Sequence, residues 1–179
     1  WQQTDGLGNV RSVRSYNPGS MAGTWALEGE VVLSHDVLGN LVQVNQPTGH
    51  TTTMTYDMAG RKLSMTDPDL GTWHYTYTRR GQLQDQTDAC ANLTTLTYDA
   101  LDRLRVQTVT AGNNANCRTT PAPGASVNYT YTYDVGQAAL GQLTGVRASD
   151  GSYSKNLLYD ADGRVRAEGI AIFGSINYT

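Results

Sequence analysis

The stretch Thr53-Met54-Thr55-Tyr56-Asp57-Met58-Ala59-Gly60-Arg61-Lys62-Leu63 reads as strand, tight turn, strand. Ahead of the Asp the residue types alternate, with Met54 and Tyr56 in one set and Thr53 and Thr55 in the other. Successive strand side chains point to opposite faces, so the alternation predicts an aromatic-aliphatic face and a Thr face. Asp at the first position of a four-residue turn accepts from the backbone N–H groups ahead of it. Gly at the fourth position takes the positive φ that a type I turn with a following bulge requires.

Variants of this stretch recur along the chain. The Asp place falls at Asp36, Asp57, Thr78 and Asp99, three successive steps of 21 residues. The Gly place follows at Gly39, Gly60, Gly81 and Asp102. An Asp in the Gly place is tolerated because Asp visits the left-handed region more readily than most residues. Thr78 in the Asp place keeps a weaker capping hydroxyl. Upstream, Asp5 to Gly8 reads as an earlier copy. Downstream, Tyr133-Asp134 reaches its Gly only at Gly141, and Tyr159-Asp160-Ala161-Asp162-Gly163-Arg164 restores the standard form. The turn motifs therefore lie near 5–8, 36–39, 57–60, 78–81, 99–102, 134–141 and 160–163, with loop insertions at about 15–30 and 111–126. The residues that carry the repeat are Tyr56, Asp57, Gly60 and Arg61, then Tyr77 and Gly81, then Tyr98, Asp99, Asp102 and Arg103. Tyr133, Asp134 and Gly141 follow, and then Tyr159, Asp160, Gly163 and Arg164. A second series of turns is expected near Thr48-Gly49, Leu70-Gly71 and Ala91-Asn92, on the opposite sheet edge. The polar return strand from Gln82 to Gln86 reads as wetted on both faces.

Composition narrows the function. A net charge of −3 with scattered basic residues gives no nucleic-acid footprint. No apolar run approaches the length of a membrane-spanning helix. Abundant Thr and 11 Tyr describe a sheet rather than a disordered chain. The chain opens Trp1-Gln2-Gln3-Thr4 without a signal peptide and stops at Asn177-Tyr178-Thr179 in what reads as strand interior. The expectation is one segment, 1–179, of about six copies, cut from a longer polypeptide.

The Tyr-Asp turns at 56–61, 98–104 and 159–164 resemble the Tyr-Asp (YD) repeats of the RHS family. That resemblance implies an all-β fold of repeated antiparallel β-hairpins forming a curved sheet, an arc of a hollow YD-repeat shell. It implies a bacterial protein, secreted or at the cell surface, whose shell encloses a C-terminal toxin or effector domain. The expected partners are the rest of that shell and the enclosed domain, with edge-to-edge self-association if the segment is isolated. A related shell serves adhesion in teneurins, and YD repeats are linked to carbohydrate binding, so a glycan- or surface-binding module is the alternative. Family shells have more copies than this chain. Asp67-Pro68-Asp69-Leu70-Gly71 departs from the family's Asp-Pro-x-Gly self-cleavage motif, so no protease role is carried onto it.

No constellation for catalysis, cofactor or metal stands out. His35, His50 and His74 are scattered, whereas a metal site needs convergent ligands. Gly6-Leu7-Gly8 lacks the third Gly of a dinucleotide fingerprint and coincides with a repeat turn. The Asp residues recur in every copy, which fits turn capping better than an acid/base pair needed only once. Asn92-Leu93-Thr94, Asn128-Tyr129-Thr130 and Asn177-Tyr178-Thr179 match the glycosylation triplet, which matters only on a eukaryotic secretory route. The tyrosines Tyr75, Tyr77, Tyr129, Tyr131 and Tyr133 serve either sugar stacking or cross-strand packing, and the sheet alone explains their alternation with Thr. Cys90 and Cys117 fall on neighbouring turns of one edge. Two readings stay open for them: a disulfide closing about 26 residues, worth roughly 3 kcal/mol in the chain-entropy model, or two free thiols in a reducing cell.

Overall fold

A computed structural model describes residues 1–18, 24–113, 117 and 124–172. Part of the 15–30 insertion, most of the 111–126 loop, and the tail with Asn177-Tyr178-Thr179 lie outside the described residues. Among the described residues there are fourteen strands and no helix. The fold is all-β, built of repeated antiparallel hairpins.

Contacts divide the chain into two units, Trp1–Thr76 and Tyr77–Thr179. The first holds β1 (Gln2–Thr4), β2 (Val10–Pro18), β3 (Trp25–His35), β4 (Leu41–Asn45), β5 (Thr51–Tyr56), β6 (Lys62–Asp67) and β7 (Gly71–Tyr77, whose last residue falls in the second unit). The second holds β8 (Leu83–Thr87), β9 (Leu93–Tyr98), β10 (Leu104–Thr110), β11 (Ser126–Tyr133), β12 (Leu143–Ala148), β13 (Tyr153–Tyr159) and β14 (Val165–Ile172). Within each unit the strands lie in chain order, each antiparallel to its neighbours. The hairpin β2–β3, of 9 and 11 residues, is longer than the others.

Period-two alternation sets the faces. In β11, Val127, Tyr129, Tyr131 and Tyr133 are half-buried, while Asn128, Thr130 and Thr132 are exposed. In β5, Met54 is buried between exposed Thr53 and Thr55. The core is thin. Met54, Ala139, Val146, Ala148 and Leu157 are its buried apolar side chains among the described residues, and none is below 2% exposure. Most of the packing therefore comes from half-covered residues of adjacent strands, as expected where each repeat buries its face only with neighbours.

β8 differs from the doubly wetted strand expected from its polar sequence. Only Gln84 of its residues is exposed, and the half-buried Asp85 accepts a 2.8 Å hydrogen bond from Thr95 Oγ1 of β9. A cross-strand polar pair thus takes the place of an apolar contact on that face.

The pairing register slips at the Tyr place of five of the hairpins. Thr55 pairs with Ser64 but Tyr56 with Lys62. The same shift precedes His35, Tyr133 and Tyr159 and accompanies Tyr98. This is the bulge that follows a type I turn, and its extra residue bends the strand locally.

Candidate functional site

The four-residue Tyr-Asp turns at Asp57, Asp99 and Asp160 are each closed twice by backbone. Gly60 N–H donates to Asp57 O at 3.0 Å, and Asp57 N–H donates to Arg61 O at 2.9 Å. The side chain then fills the turn. Asp57 Oδ1 accepts from the N–H groups of Ala59 (2.9 Å) and Arg61 (3.0 Å), and Oδ2 accepts from Arg61 Nε at 2.6 Å. Asp99 repeats the pattern with Leu101 and Arg103, and Asp160 with Asp162 and Arg164. At Asp36 and Asp5 the side chains of Asn40 and Asn9 take the Arg role.

These donors hold the carboxyls below the usual carboxylate range. At Asp57 the Arg61 side chain is the leading cause, and at Asp36 it is the Asn40 side chain. At Asp99 and Asp160 the backbone N–H of Arg103 and of Arg164 leads. The sequence places Arg61 only at the start of the return strand. Its second task, clamping the turn's carboxylate, shows once Asp and Arg are seen to share four-residue spacing at Asp57, Asp99 and Asp160.

The departures are handled locally. Thr78 Oγ1 accepts from Gln82 N–H at 3.2 Å, a hydroxyl taking the place of the carboxylate. Gly81 beyond it has φ 87°, and Asp102 in the Gly place has φ 63°. In the lengthened turn Asp134 itself has φ 62°, Gly141 N–H donates to Asp134 Oδ1 at 2.6 Å, and Asp134 N–H donates to Gln142 O at 3.1 Å. On the opposite edge Asp88 builds the same ring with Cys90 and Asn92, and Ala91 sits in the Gly place at φ 61°.

A second set of contacts joins one copy to the next. The Tyr98 hydroxyl donates to Leu83 O at 2.8 Å, Tyr133 to Leu104 O at 2.9 Å, and Tyr159 to Leu143 O at 2.6 Å. Each acceptor is the first residue of the preceding copy's return strand. Tyr56 instead reaches Met54 Sδ at 3.7 Å, and Tyr77 is half-buried at the end of β7. Arg103 works in both directions. Beyond Asp99, it donates from Nη1 to Asp134 Oδ2 at 2.8 Å, and its Cζ lies 4.3 Å from the centroid of the Tyr133 ring. Arg80 likewise donates to Asp102 Oδ1 at 2.6 Å, and Gln82 Nε2 to Asp102 O at 3.3 Å.

Cys90 and Cys117 are joined as a disulfide, with Cα atoms 5.7 Å apart and a sequence separation of 27. Gly112 is pressed against the same turn. Its N–H donates to Asn92 Oδ1 at 2.8 Å, and a Cβ placed on it would lie 2.1 Å from Cys90 O.

The histidines do not converge. His50 Nδ1 lies 3.5 Å from Asp69 Oδ2 with both side chains exposed, and His74 is on the exposed face of β7. Among the described residues no group of three or more His, Cys, Asp and Glu side chains is placed to hold a metal. No described helix is long and apolar enough to cross a membrane. Asp67 accepts from the N–H groups of Asp69 and Leu70 and from Thr52 Oγ1, as the first residue of an ordinary hairpin turn.

Residues 35–72, which hold two of these turns, match the family model described as RHS Repeat. The chain carries an RHS repeat. Among solved structures, a TcdB2-TccC3-Cdc42 crystal structure matches at a TM-score of 0.63 with 16% identity, covering 90% of this chain and 8% of that chain. A TcdB2-TccC3 crystal structure gives the same score and identity and is covered over 9% of its length. A Photorhabdus luminescens Tc holotoxin pore structure matches at 0.52 with 10% identity, covering 94% of this chain and 11% of that chain. At these identities the likeness is one of fold. The chain spans about a tenth of the length of these structures or less. No curated protein matches it in sequence.

Proposed function

We propose that the chain is a structural wall segment of an exported bacterial RHS-repeat protein, which encloses or scaffolds a C-terminal toxin or effector domain. The observation that carries this reading is the use made of the motif residues. The Asp carboxylates cap turns, the guanidinia of Arg61, Arg103 and Arg164 hold the carboxylates of Asp57, Asp99 and Asp160, and the hydroxyls of Tyr98, Tyr133 and Tyr159 bond the backbone of the preceding copy. Side chains that resemble a catalytic inventory act instead as fasteners, so catalysis is assigned to other parts of the full protein. The fold shared with TcdB2-TccC3 supports the assignment, as does a related structure of TcdB2-TccC3 described as lacking its hypervariable C-terminal region. A disulfide in the second unit fits export to an oxidising compartment.

Limited proteolysis of the full-length protein tests containment. The region that follows the repeats should resist protease in the intact protein and be degraded once the repeat segment is destabilised by Met54→Ala. Equal digestion in both would overturn the reading. The glycan-binding alternative draws no support from the tyrosines, because Tyr131 and Tyr133 are half-buried and their hydroxyls are bonded to Gln107 Oε1 and Leu104 O.

A further inference from the structure

The third of the regularly spaced turns, Thr78-Arg79-Arg80-Gly81-Gln82, departs from the motif at several places. Thr78 stands in the Asp place, so the turn carries no carboxylate of its own. Arg79 and Arg80 form its tip, where the preceding turns present the exposed apolar side chains of Val37, Leu38 and Met58. Gln82 stands where other copies have the clamping Arg or Asn. The following turn departs too, with Asp102 in the Gly place at φ 63°. The two sets of departures meet: Arg80 Nη1 donates to Asp102 Oδ1 at 2.6 Å, and Gln82 Nε2 to Asp102 O at 3.3 Å.

They also line one cleft. Backbone pairing of β8 with β9 covers Asp85 to Thr87 and stops short of the turns. Beyond it a cleft of about 460 Å³ opens between the turns 78–81 and 99–102, wholly within the second unit. That volume lies in the range of small-molecule sites, roughly 300–1,000 Å³. Leu96 and Tyr98 give the cleft an apolar side, with the Tyr98 hydroxyl already committed to Leu83 O. Gln84 and Thr97, both exposed, give it a polar one.

Charge balance selects the ligand. At Asp57, Asp99 and Asp160 each Arg is matched by the carboxylate of its own turn. The turn 78–81 has two guanidinium groups and no such partner. Asp102 supplies one carboxylate from the next copy, and its side chain is 52% exposed. Asp99, on the same cleft, is held by Arg103. Arg79 is exposed and enters no ion pair among the described residues. One positive charge is left over at the cleft, on a chain whose net charge is −3.

We propose that this cleft is a binding site for a small organic anion, whose carboxylate or phosphate is gripped by Arg79 and Arg80 while its polar body faces Gln84 and Thr97. A guanidinium meets either oxyanion with two parallel N–H donors. Asp102 orients Arg80 and competes with the ligand for it. The site goes beyond the wall-segment reading and does not depend on it. It lies in mid-chain, between two neighbouring turns that are both described.

Isothermal titration calorimetry of the full-length protein tests the site, with citrate as the carboxylate probe and phenyl phosphate as the phosphate probe. Ionic strength is held fixed, because screening alone weakens exposed charge contacts. The expected result is saturable binding of at least one probe, with hydrogen-exchange protection over residues 78–84 and 95–102. The probe that binds more tightly identifies the oxyanion. Arg79→Gln,Arg80→Gln should weaken binding by roughly tenfold or more. Asp102→Asn removes the competing charge in a residue type that tolerates the left-handed φ, and should tighten it. Arg147→Gln, at an exposed arginine of β12 outside the cleft, should leave affinity unchanged. Unaltered exchange in β10–β12 serves as the folding control. No binding of either probe, equal affinity in the double variant, or an equal loss in Arg147→Gln would overturn the site. Unchanged affinity in Asp102→Asn would overturn the role given to Asp102.

Discussion

A repeat residue here has one partner in its own turn and another in the neighbouring copy. Tyr133 illustrates the second kind, since its hydroxyl bonds Leu104 O and its ring lies against Arg103. Tyr133→Phe keeps the ring and removes the hydrogen bond, leaving a half-covered carbonyl. The expected loss is about 1 kcal/mol in denaturant unfolding, and no change would show that the hydroxyl contact adds nothing. Gly60 has φ 75°, and a Cβ placed on it would lie 3.3 Å from Asn40 Oδ1 of the preceding copy. Gly60→Ala should therefore cost about 1–2 kcal/mol, with the stability of Asn40→Ala,Gly60→Ala showing how much is crowding and how much is φ. The turn roles of Asp57 and Gly60 were legible because they act at fixed offsets inside one copy. The Tyr hydroxyl's destination was not. Its acceptor lies 15, 29 or 16 residues upstream at Tyr98, Tyr133 and Tyr159, because the intervening loops differ in length. A search for one period passes over a contact whose spacing varies.

At the scale of the element, strand order and facing followed from the alternation and the turn signals, and β11 carries them most clearly. The bulge at each Tyr was implied by the turn type alone. The Asp88 turn was harder to read, because Ala91 stands where Gly would announce a positive φ. The environment of that turn gives a sharp test. Gly112 has no room for a side chain beside Cys90 O and Ala91, since the obstacles are backbone atoms. Gly112→Ala should displace the chain there and destabilise the second unit, read as lost exchange protection in β9 and β10 with β4–β6 unaffected. The Cys90–Cys117 bridge closes its loop between the same elements. Its reduction should lower stability by roughly 3 kcal/mol in the chain-entropy model. Peptide mapping without reductant should recover Cys90 linked to Cys117, and recovery of both as free thiols would contradict the bridge. Sequence left that pairing open because spacing alone does not orient two Cβ atoms.

At the scale of the whole molecule, stability comes from many small fasteners. Asp36, Asp57, Asp67, Asp99, Asp134, Asp150 and Asp160 all have carboxyls held below their ordinary value by hydrogen-bond donors. A depressed carboxylate pKa stabilises the fold above the unfolded value of about 3.9 and ceases to do so as pH falls through the folded value. Melting temperature should thus hold through neutral pH and fall cooperatively below about pH 4. A melting temperature unchanged from neutral to strongly acidic pH would deny these carboxylates a role. The thin core fits the wall-segment proposal: few side chains are buried among the described residues, as expected where each repeat buries its face only with neighbours. The most direct test is a cryo-EM map of the full-length protein. The account predicts that this segment lies within a continuous wall, with a further strand paired to β14 and density of the C-terminal region enclosed behind it. A map showing the segment as a free-standing module, with β14 open to solvent and the C-terminal region outside, would contradict it.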